Sequence, residues 1–445
     1  MNRYAEQLEA HGMSRPEAQQ KGELFERAAW ALHSPGAADK SLAALYVPGR
    51  IEVLGKHTDY AGGRSLLCAV ELGFCLVARQ REDALVNVIN ARTQARCALA
   101  LDSEPSPGGQ HWCNYPSVAV RRLARNFPCA RCGADIAFVS DLPAASGMSS
   151  SSSLIVAIFL ALADINAIRE SDAYRREIHC SEDLAGYLGC VENGQSFGAL
   201  TGDRGVGTFG GSEDHTAILC CQARELRQYS FCPIRHERTV ALPKGLVFVV
   251  AVSGVAAMKT GAAQQQYNQA ALAAHKILEL WCAATERNDP TLAATIDHAP
   301  DAAGRIREIL SRSRCEEFPA RLLCERFEQF LAESTLIIPA ATDSLSVGDL
   351  SRFGILVDQS QLQAENLLHN QVPETIALAR SARSLGAVAA SAFGAGFGGS
   401  VWALVHSDDA IEFAGRWEAR YQDQFPAVDH SRFLTVLPGP AAFRF

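Results

Sequence analysis

Residues 141–162 read DLPAASGMSSSSSLIVAIFLAL, and this stretch carries the strongest structural signal in the sequence. A strand-like segment, residues 134–140, precedes a loop of small residues, and the loop runs into a helix that is apolar on every side. Small residues let backbone N–H groups approach a ligand, and a helix N-terminus carries partial positive charge. One serine is enough to cap a helix. Five in a row therefore favour a phosphate site over a simple cap.

A second small-residue stretch, SAFGAGFGGSVWALV, begins at Ser391. Four glycines precede a strand-like run there, at Gly394, Gly396, Gly398 and Gly399. A flexible hairpin is one interpretation. Close approach of the backbone to a ligand is the other interpretation. Ordering a glycine costs more backbone entropy than ordering other residues, so four glycines indicate a specific need for them. The Walker A pattern and the HRD and DFG motifs of protein kinases are absent from the sequence.

A third stretch, VPGRIEVLGKHTDYAGG, spans residues 47–63. It opens as an apolar strand and then places Arg50, Lys56, His57 and Asp59 within ten positions. A closing Gly-Gly pair marks a turn. The segment therefore predicts a strand that delivers basic and acidic side chains to one site.

Length and charge limit the function classes. A chain of 445 residues is expected to form two domains. A net charge of −8 without a long basic run argues against nucleic acid and anionic membranes as partners. The polar N-terminus lacks a signal-peptide core, and no apolar run is long enough to span a membrane. We expect a cytoplasmic protein whose fourteen cysteines are free thiols, with Cys129 and Cys132 too isolated for a zinc site.

The order of the predicted elements indicates an α+β protein of two lobes. Residues 1–40 form a helical extension, residues 41–235 an N-terminal domain and residues 236–445 a C-terminal domain. Helices dominate from 262 to 378, and late strands follow in "FGGSVWALVHS" and "RFLTVLPG". The segment from Trp112 predicts a helix with a basic polar face.

Together, the three stretches resemble the GHMP small-molecule kinase family, which includes galactokinase, homoserine kinase, mevalonate kinase and phosphomevalonate kinase. "PGRIEVLGKHTDYAGG" is most similar to the galactokinase signature, and "HWCNYPSVAV", "GGSEDHTAI" and "MKTGAAQQQY" also resemble galactokinase segments. The resemblance implies an N-terminal lobe with a left-handed β-α-β crossover, a ferredoxin-like C-terminal lobe and an active site between them. It implies transfer of the γ-phosphoryl group of ATP, with Mg²⁺, to the anomeric (C1) hydroxyl of galactose or a similar sugar.

The same resemblance assigns the site residues. Asp214 accepts or orients the proton of the substrate hydroxyl, and Glu213 competes for that role. Arg50 holds Asp214 ionised and stabilises charge on the transferred group. Ser151 and Glu192 ligate Mg²⁺. ATP contacts the loop formed by Ala145, Ser146, Gly147, Met148, Ser149, Ser150, Ser151 and Ser152.

For the sugar, the resemblance assigns His57, Asp59, Tyr267 and Gly211. The spacing from Glu192 to Asp214 is longer than in galactokinases, so residues 199–209 are expected to form an extra loop near the acceptor. His215 also departs from the family, in which a glutamine commonly follows the aspartate.

Lys56 breaks the galactokinase signature, because galactokinases have a glutamate there that accepts a hydrogen bond from the C6 hydroxyl. They also have asparagine at Glu52. A charged lysine cannot accept a hydrogen bond, but it suits a C6 carboxylate, so a uronic acid such as galacturonate is one predicted acceptor. In the alternative, Lys56 pairs with Glu52 or Glu71 and the sugar is neutral. Two further alternatives are a non-catalytic sugar sensor and a kinase for another small hydroxyl compound.

Overall fold

The computed structural model describes residues 2–33, 42–102, 111–143, 146–255 and 262–445. In the first half these residues form helices α1 Arg3–Ala10, α2 Arg15–Ala31, α3 Asn114–Asn126, α4 Ser150–Ile165, α5 Asp172–Glu177, α6 Ser181–Asn193 and α7 Glu213–Cys220. The strands of that half are β1 Ala43–Leu54, β2 Arg64–Gln80, β3 Leu85–Asn90, β4 Arg96–Ala100, β5 Ala134–Ser140, β6 Glu225–Ser230 and β7 Arg235–Ala241.

The second half contains strands β8 Leu246–Val252, β9 Ala389–Phe393, β10 Ser400–His406, β11 Arg432–Val436 and β12 Phe443–Arg444. Its helices are α8 Ala262–Thr285, α9 Leu292–His298, α10 Ala302–Arg312, α11 Ala320–Ala332, α12 Ile338–Ser346, α13 Leu350–Gln363, α14 Pro373–Ser384 and α15 Ala410–Gln424. Two π-helical turns, Glu333–Ile337 and Ala364–Leu368, interrupt the helical region. The predicted mixture of strands and helices is confirmed.

The first sheet has the strand order β12-β1-β2-β5-β3-β4, with β6 and β7 attached beside β2. All its pairs are antiparallel except β3 with β5, which are parallel. Parallel neighbours need a crossover connection, and here the chain passes through β4 and α3. This is the β-α-β unit expected in the N-terminal lobe; its left-handed sense remains a prediction.

Helix α4 lies beneath this sheet. Its twelve residues from Ser152 to Ala163 are all buried, as its uniformly apolar sequence predicts. The opposite face of the sheet is covered by α1 and α2, whose apolar side chains pack against strands β1, β2 and β5. Because α4 is buried in the core, its N-terminus is held in a fixed position beside the sheet.

A salt bridge joins the N-terminal helices to the loop after β5. Lys21 of α2 is fully buried, and its Nζ lies 2.6 Å from Asp141 Oδ2 and 2.7 Å from Glu17 Oε2. Asp141 Oδ1 accepts a hydrogen bond from the Gly73 backbone N–H at 2.8 Å. The first residue of the serine-rich segment is therefore tied to both α2 and β2.

Strand β1 carries two irregularities that aim its side chains. Its pairing with β2 shifts register between Pro48 and Arg50, and again between Glu52 and Leu54. Bulges locally twist a strand and redirect its side chains. Arg50 and Glu52 lie between these two shifts, two positions apart, and both line the same cavity.

The second sheet has the order β11-β8-β10-β9, all antiparallel. With α8–α14 between β8 and β9 and α15 between β10 and β11, this is the βαββαβ arrangement of a ferredoxin-like lobe. The change of sheet falls between 241 and 246, a few residues after the expected boundary at 235/236, because β7 still pairs with β6. The C-terminal β12 returns to the first sheet beside β1.

The prediction that α3 presents a basic polar face is wrong. Arg121 and Arg122 are 5% and 0% exposed, because residues 195–203 fold over them. All fourteen cysteines are free, as predicted. Within the described part of the chain, no helix is both long and apolar enough to cross a membrane.

Candidate active site

A cavity of about 700 Å³ lies between the two lobes. One part of its wall is aromatic, with Phe74, Trp112, Tyr115 and Phe138. Another part, the acidic part, contains Glu52, Asp59, Glu213 and Asp214. The serine-rich loop and the start of α4 contribute Gly147, Ser149, Ser150, Ser151 and Leu154 to the lining. The size is typical of small-molecule sites.

The serine-rich loop turns sharply into α4. Gly147 and Ser149 have φ values of 77° and 59°, so the backbone passes twice through the left-handed region. Glycine adopts that region without steric cost. Ser149 Oγ is buried and has no hydrogen-bond partner among the described residues. A hydroxyl without a partner at a helix N-terminus fits an anionic ligand.

Other members of the predicted ATP loop have internal roles. Ser146 Oγ donates to Pro143 O at 2.8 Å, and Met148 O accepts a hydrogen bond from the Arg50 backbone N–H at 3.3 Å. Ser152 is fully buried and turns toward Glu192. Ala145 lies outside the described residues.

Arg50 and Asp214 form the central ion pair of the site. Arg50 Nε lies 2.8 Å and a terminal nitrogen 2.7 Å from Asp214 Oδ1. The other terminal nitrogen donates to Gly147 O. Burial lowers the pKa of Arg50, but the charges of Asp214, Glu213 and Glu52 outweigh it and raise the pKa above its usual value. The structure thus brings together the predicted catalytic pair and the phosphate loop.

Glu192 lies beside this pair. Ser152 Oγ is 2.7 Å from Glu192 Oε2 and 3.2 Å from Asp214 Oδ2, so one hydroxyl joins the two carboxylates. His215 Nε2 lies 3.2 Å from the same oxygen of Glu192. Glu192 is 2% exposed, so it does not lie on a solvated helix face.

These residues fit a magnesium ion that arrives with a nucleotide. Mg²⁺ prefers oxygen ligands and is usually held by one or two carboxylates together with substrate phosphates. Glu192 supplies a carboxylate, and Ser151 supplies a hydroxyl in the cavity wall. Among the described residues, no group of three or more His, Cys, Asp or Glu side chains could hold a metal ion by itself.

Asp59 and Glu213 are locked together in the acidic part. Asp59 Oδ1 accepts the Tyr60 backbone N–H at 2.8 Å, and Oδ2 accepts the Glu213 backbone N–H at 3.0 Å. Glu213 Oε2 accepts a hydrogen bond from Ser65 Oγ at 2.7 Å. Burial and then the negative charge of Glu52 raise the pKa of Glu213 well above its usual value. This shift favours the neutral form of the Glu213 carboxyl group.

His57 lines the cavity, but both ring nitrogens already have protein partners. Nε2 lies 3.0 Å from Ala395 O and Nδ1 lies 3.0 Å from the Tyr60 hydroxyl. A carbonyl only accepts, so Nε2 carries the proton. Burial lowers the pKa of His57 to about 4. The Tyr267 ring lies 5.2 Å away and also lines the cavity. A hydrogen bond from His57 to a sugar would require it to release one of these partners.

Lys56 is not part of the cavity wall formed by the described residues. It is 1% exposed, and its Nζ donates to Ser391 Oγ at 2.8 Å and Ser360 Oγ at 3.2 Å. Ser360 Oγ in turn donates to Glu333 Oε1 at 2.9 Å. Glu71, one proposed partner of Lys56, instead accepts hydrogen bonds from Ser14.

The glycine loop joins β9 to β10 as a hairpin and also approaches the site closely. All four of its predicted glycines have positive φ, from 79° to 129°. The Gly394 N–H donates to Glu52 Oε2 at 3.2 Å, and a Cβ added to Gly394 would lie 3.0 Å from Gly147 O. Both interpretations of this motif therefore apply, with Gly394 reaching the cavity.

The extra loop before Asp214 shapes the acidic part. Asn193 Oδ1 accepts the Gly210 N–H at 2.9 Å, and Asn193 Nδ2 donates to Gly211 O at 3.0 Å. The Phe209 N–H donates to Asn268, next to Tyr267. The loop thereby places Gly210 and Gly211 in the cavity wall.

Gly211→Ala is expected to damage sugar binding. An added Cβ would lie 2.2 Å from Asp59 Oδ2, so the carboxylate must move from its two backbone donors. We expect the KM for the sugar to rise by about ten- to a hundredfold, the scale of a small displacement in a site, with little change in the KM for ATP. Steady-state kinetics in both substrates measures this. Gly415→Ala, where no atom lies within 4 Å, is the matched control; equal KM values in the two variants would contradict a role for the 59–211 contact.

Several supporting residues carry no local sequence signal. Arg326 of α11 donates to His57 O, Gln329 donates to Lys56 O at 3.2 Å and Glu333 accepts the Gly55 N–H at 2.9 Å. They hold the turn at 55–57 from the second half of the chain. Only a sequence alignment or a structure can pair positions about 270 residues apart.

Three family models match the chain. The model of the GHMP kinases N terminal domain matches residues 114–187, and that of the GHMP kinases C terminal matches residues 340–423. The galactokinase galactose-binding signature matches residues 33–80. Both halves of the chain are therefore similar to GHMP kinases. The segment at 33–80 is similar to the galactose-binding signature of galactokinases.

Similar proteins agree with this placement. A galactokinase of Roseiflexus sp. is 27% identical over 380 residues, covering 84% of this chain and 86% of that protein. A galactokinase of Chloroflexus aggregans is also 27% identical, over 382 residues, with the same coverage. The Lactococcus lactis galactokinase structure with galactose aligns with a TM-score of 0.77 at 20% identity, over 95% of this chain and 99% of that one. The Methanococcus jannaschii mevalonate kinase aligns with a TM-score of 0.52 at 13% identity, over 91% and 99%. The two structures support the fold.

Proposed function

We propose that this protein is a sugar kinase that uses ATP and Mg²⁺ to phosphorylate the anomeric (C1) hydroxyl of galactose or a galactose-like sugar. The observation that carries the proposal is the Arg50–Asp214 ion pair, in which two guanidinium nitrogens contact one carboxylate oxygen, between the serine-rich loop and the acidic part of one cavity. Phosphoryl transfer needs positioning and charge neutralisation above all, and this arrangement supplies both.

The residues divide the work. Gly147 and the N-terminus of α4 offer backbone N–H groups and a positive dipole end to the nucleotide phosphates. A magnesium ion held at Glu192 would neutralise charge on phosphate oxygens. Asp214 takes the proton of the sugar hydroxyl as the new P–O bond forms and the bond to the β-phosphate breaks. Arg50 stabilises the charge that spreads over the transferred group.

The acceptor subsite fits a polyol. Asp59 is held rigidly by two backbone N–H groups and lines the cavity beside Gly211. An ionised carboxylate can accept hydrogen bonds from two adjacent hydroxyl groups. The galactokinases among the similar proteins make galactose the first acceptor to test. Galacturonate is the second, because Lys56 stands where galactokinases have a glutamate.

The test is ADP release from the purified protein with ATP, Mg²⁺ and a panel of compounds. We expect ADP with galactose or a close analogue, a sugar 1-phosphate by NMR and no ADP with mevalonate or homoserine. Asp214→Asn serves as the inactive control. Binding of a sugar without ADP release by the wild type would contradict the kinase assignment and support a sensor.

A further inference from the structure

The charged side chains at the two broken signature positions have separate places in the structure. Glu52 lines the cavity, whereas Lys56 lies outside the lining with its Nζ bound to Ser360 and Ser391. The two residues are four positions apart in one stretch, but the bulge between Glu52 and Leu54 and the turn that follows send them to different surroundings. A ligand in the cavity therefore meets a carboxylate where the sequence suggested an ammonium.

Glu52 has hydrogen-bonding capacity to spare. It is 3% exposed, and its Oε2 accepts the Gly394 N–H. Among the described residues, no N–H or hydroxyl group donates to Oε1, which is fully buried. A carboxylate oxygen has two lone pairs, so Oε1 can accept a hydrogen bond from a ligand hydroxyl.

The surrounding charge favours a neutral ligand. Asp59, Glu213 and Asp214 share the acidic part with Glu52. The strongly basic Arg50 in the same wall is engaged by Asp214 and Gly147 O. Lys56 acts on Glu52 from outside the cavity: burial raises the pKa of Glu52 to about 7 even though the charges of Lys56 and Arg50 lower it. A ligand carboxylate placed here would meet like charge, which costs free energy.

We infer that Glu52 is a specificity-determining residue that accepts a hydrogen bond from one sugar hydroxyl, and that Lys56 is a positioning residue that balances its charge from outside the cavity. The inference rests on the proposed sugar kinase function and deepens it. Neutral sugars are accepted and sugar acids are rejected, because the group that reads the ring is an acceptor. A buried acceptor left without its hydroxyl partner is what makes such a site selective.

The experiment is a cross of acceptor analogues with variants. The kcat/KM is measured for galactose and its 2-, 3-, 4- and 6-deoxy analogues, in the wild type and in Glu52→Gln. We expect one deoxy analogue to lose about ten- to a hundredfold in the wild type, the scale of a charge-assisted hydrogen bond. The same deletion should cost far less in Glu52→Gln. Non-additivity of this kind identifies the paired groups.

Two further variants separate Glu52 from general damage. Glu71→Gln changes another buried glutamate of the same sheet that lies outside the cavity lining, and it should leave the deoxy-sugar profile unchanged. Lys56→Met should lower kcat/KM for galactose without creating a preference for galacturonate. Thermal melting of each variant checks that it is folded.

Calorimetric titration of galactose and galacturonate in the presence of ADP gives the same comparison without turnover. A wild type that binds or phosphorylates galacturonate better than galactose would overturn the inference and leave the kinase function standing. Deoxy penalties that persist unchanged in Glu52→Gln would do the same. A wild type that binds galactose better than galacturonate, but releases no ADP with any acceptor, would support the inference while defeating the kinase proposal.

Discussion

Asp214→Asn is expected to lower kcat by at least about a hundredfold, because it removes the group that takes the proton of the acceptor hydroxyl in the proposed reaction. The substitution keeps the size of the side chain but replaces the oxygen charge that Arg50 binds at 2.7 and 2.8 Å. Affinity for ATP should change little, since the nucleotide contacts are expected in the serine-rich loop. Single-turnover rates and nucleotide titrations measure the two quantities separately.

Glu213→Gln is the matched variant at the neighbouring position. Burial raises the pKa of Glu213 well above its usual value, which favours the neutral form that glutamine imitates. Its Oε2 is also occupied by Ser65 Oγ. We expect most of the activity to remain. If Glu213→Gln were the inactive variant and Asp214→Asn the active one, the catalytic assignment would pass to Glu213.

The sequence predicted the elements that carry local signals. The uniformly apolar run after the five serines became buried helix α4, and the glycine-rich stretch became a tight hairpin that reaches the cavity. Arg50 contacts Asp214, 164 residues away, as the family resemblance implied, and it also contacts Gly147, 97 residues away. Repeated residue types and fixed φ requirements are local properties, so one sequence is sufficient to identify them.

Side-chain direction was not predictable in the same way. Lys56 looked like a substrate contact because its neighbours in sequence are site residues, yet its ammonium lies among serines from α13 and β9. The sequence pattern predicted a solvated face for Arg121 and Arg122, but residues 195–203 cover both side chains in the structure. In each case, the deciding partner is distant in sequence and carries no motif of its own. Ser152 Oγ contacts both Glu192 and Asp214, a role the sequence did not indicate, and one residue along a helix turns a side chain by about 100°.

Lys21→Met is expected to destabilise the protein strongly, although Lys21 lies outside every motif of the site. The variant leaves Asp141 with its carboxylate largely buried and its close cation removed. Breaking a buried ion pair from one side costs about 3–5 kcal/mol. Urea unfolding should therefore shift to a lower midpoint. Lys244→Met, at an exposed lysine, should leave the midpoint nearly unchanged.

The pairing, and not the lysine alone, is tested by adding Asp141→Asn to Lys21→Met, because the double variant no longer buries an unpaired charge and should recover part of the loss.

Burial lowers the pKa of Lys21, but the charges of Asp141 and Glu17 outweigh it and raise the pKa above 10.5. When folding raises the pKa of a lysine, the resulting stabilisation is fully present below the lysine pKa of the unfolded chain. It is lost only as the pH rises through the lysine pKa of the folded protein. The difference in unfolding free energy between wild type and Lys21→Met should thus be constant from pH 6 to pH 9 as far as Lys21 titration is concerned.

Because Asp141 opens the segment that leads into the serine-rich loop, ATP affinity of the folded variant should fall as well. A variant with wild-type stability and wild-type ATP affinity would show that the N-terminal helices do not support the nucleotide loop.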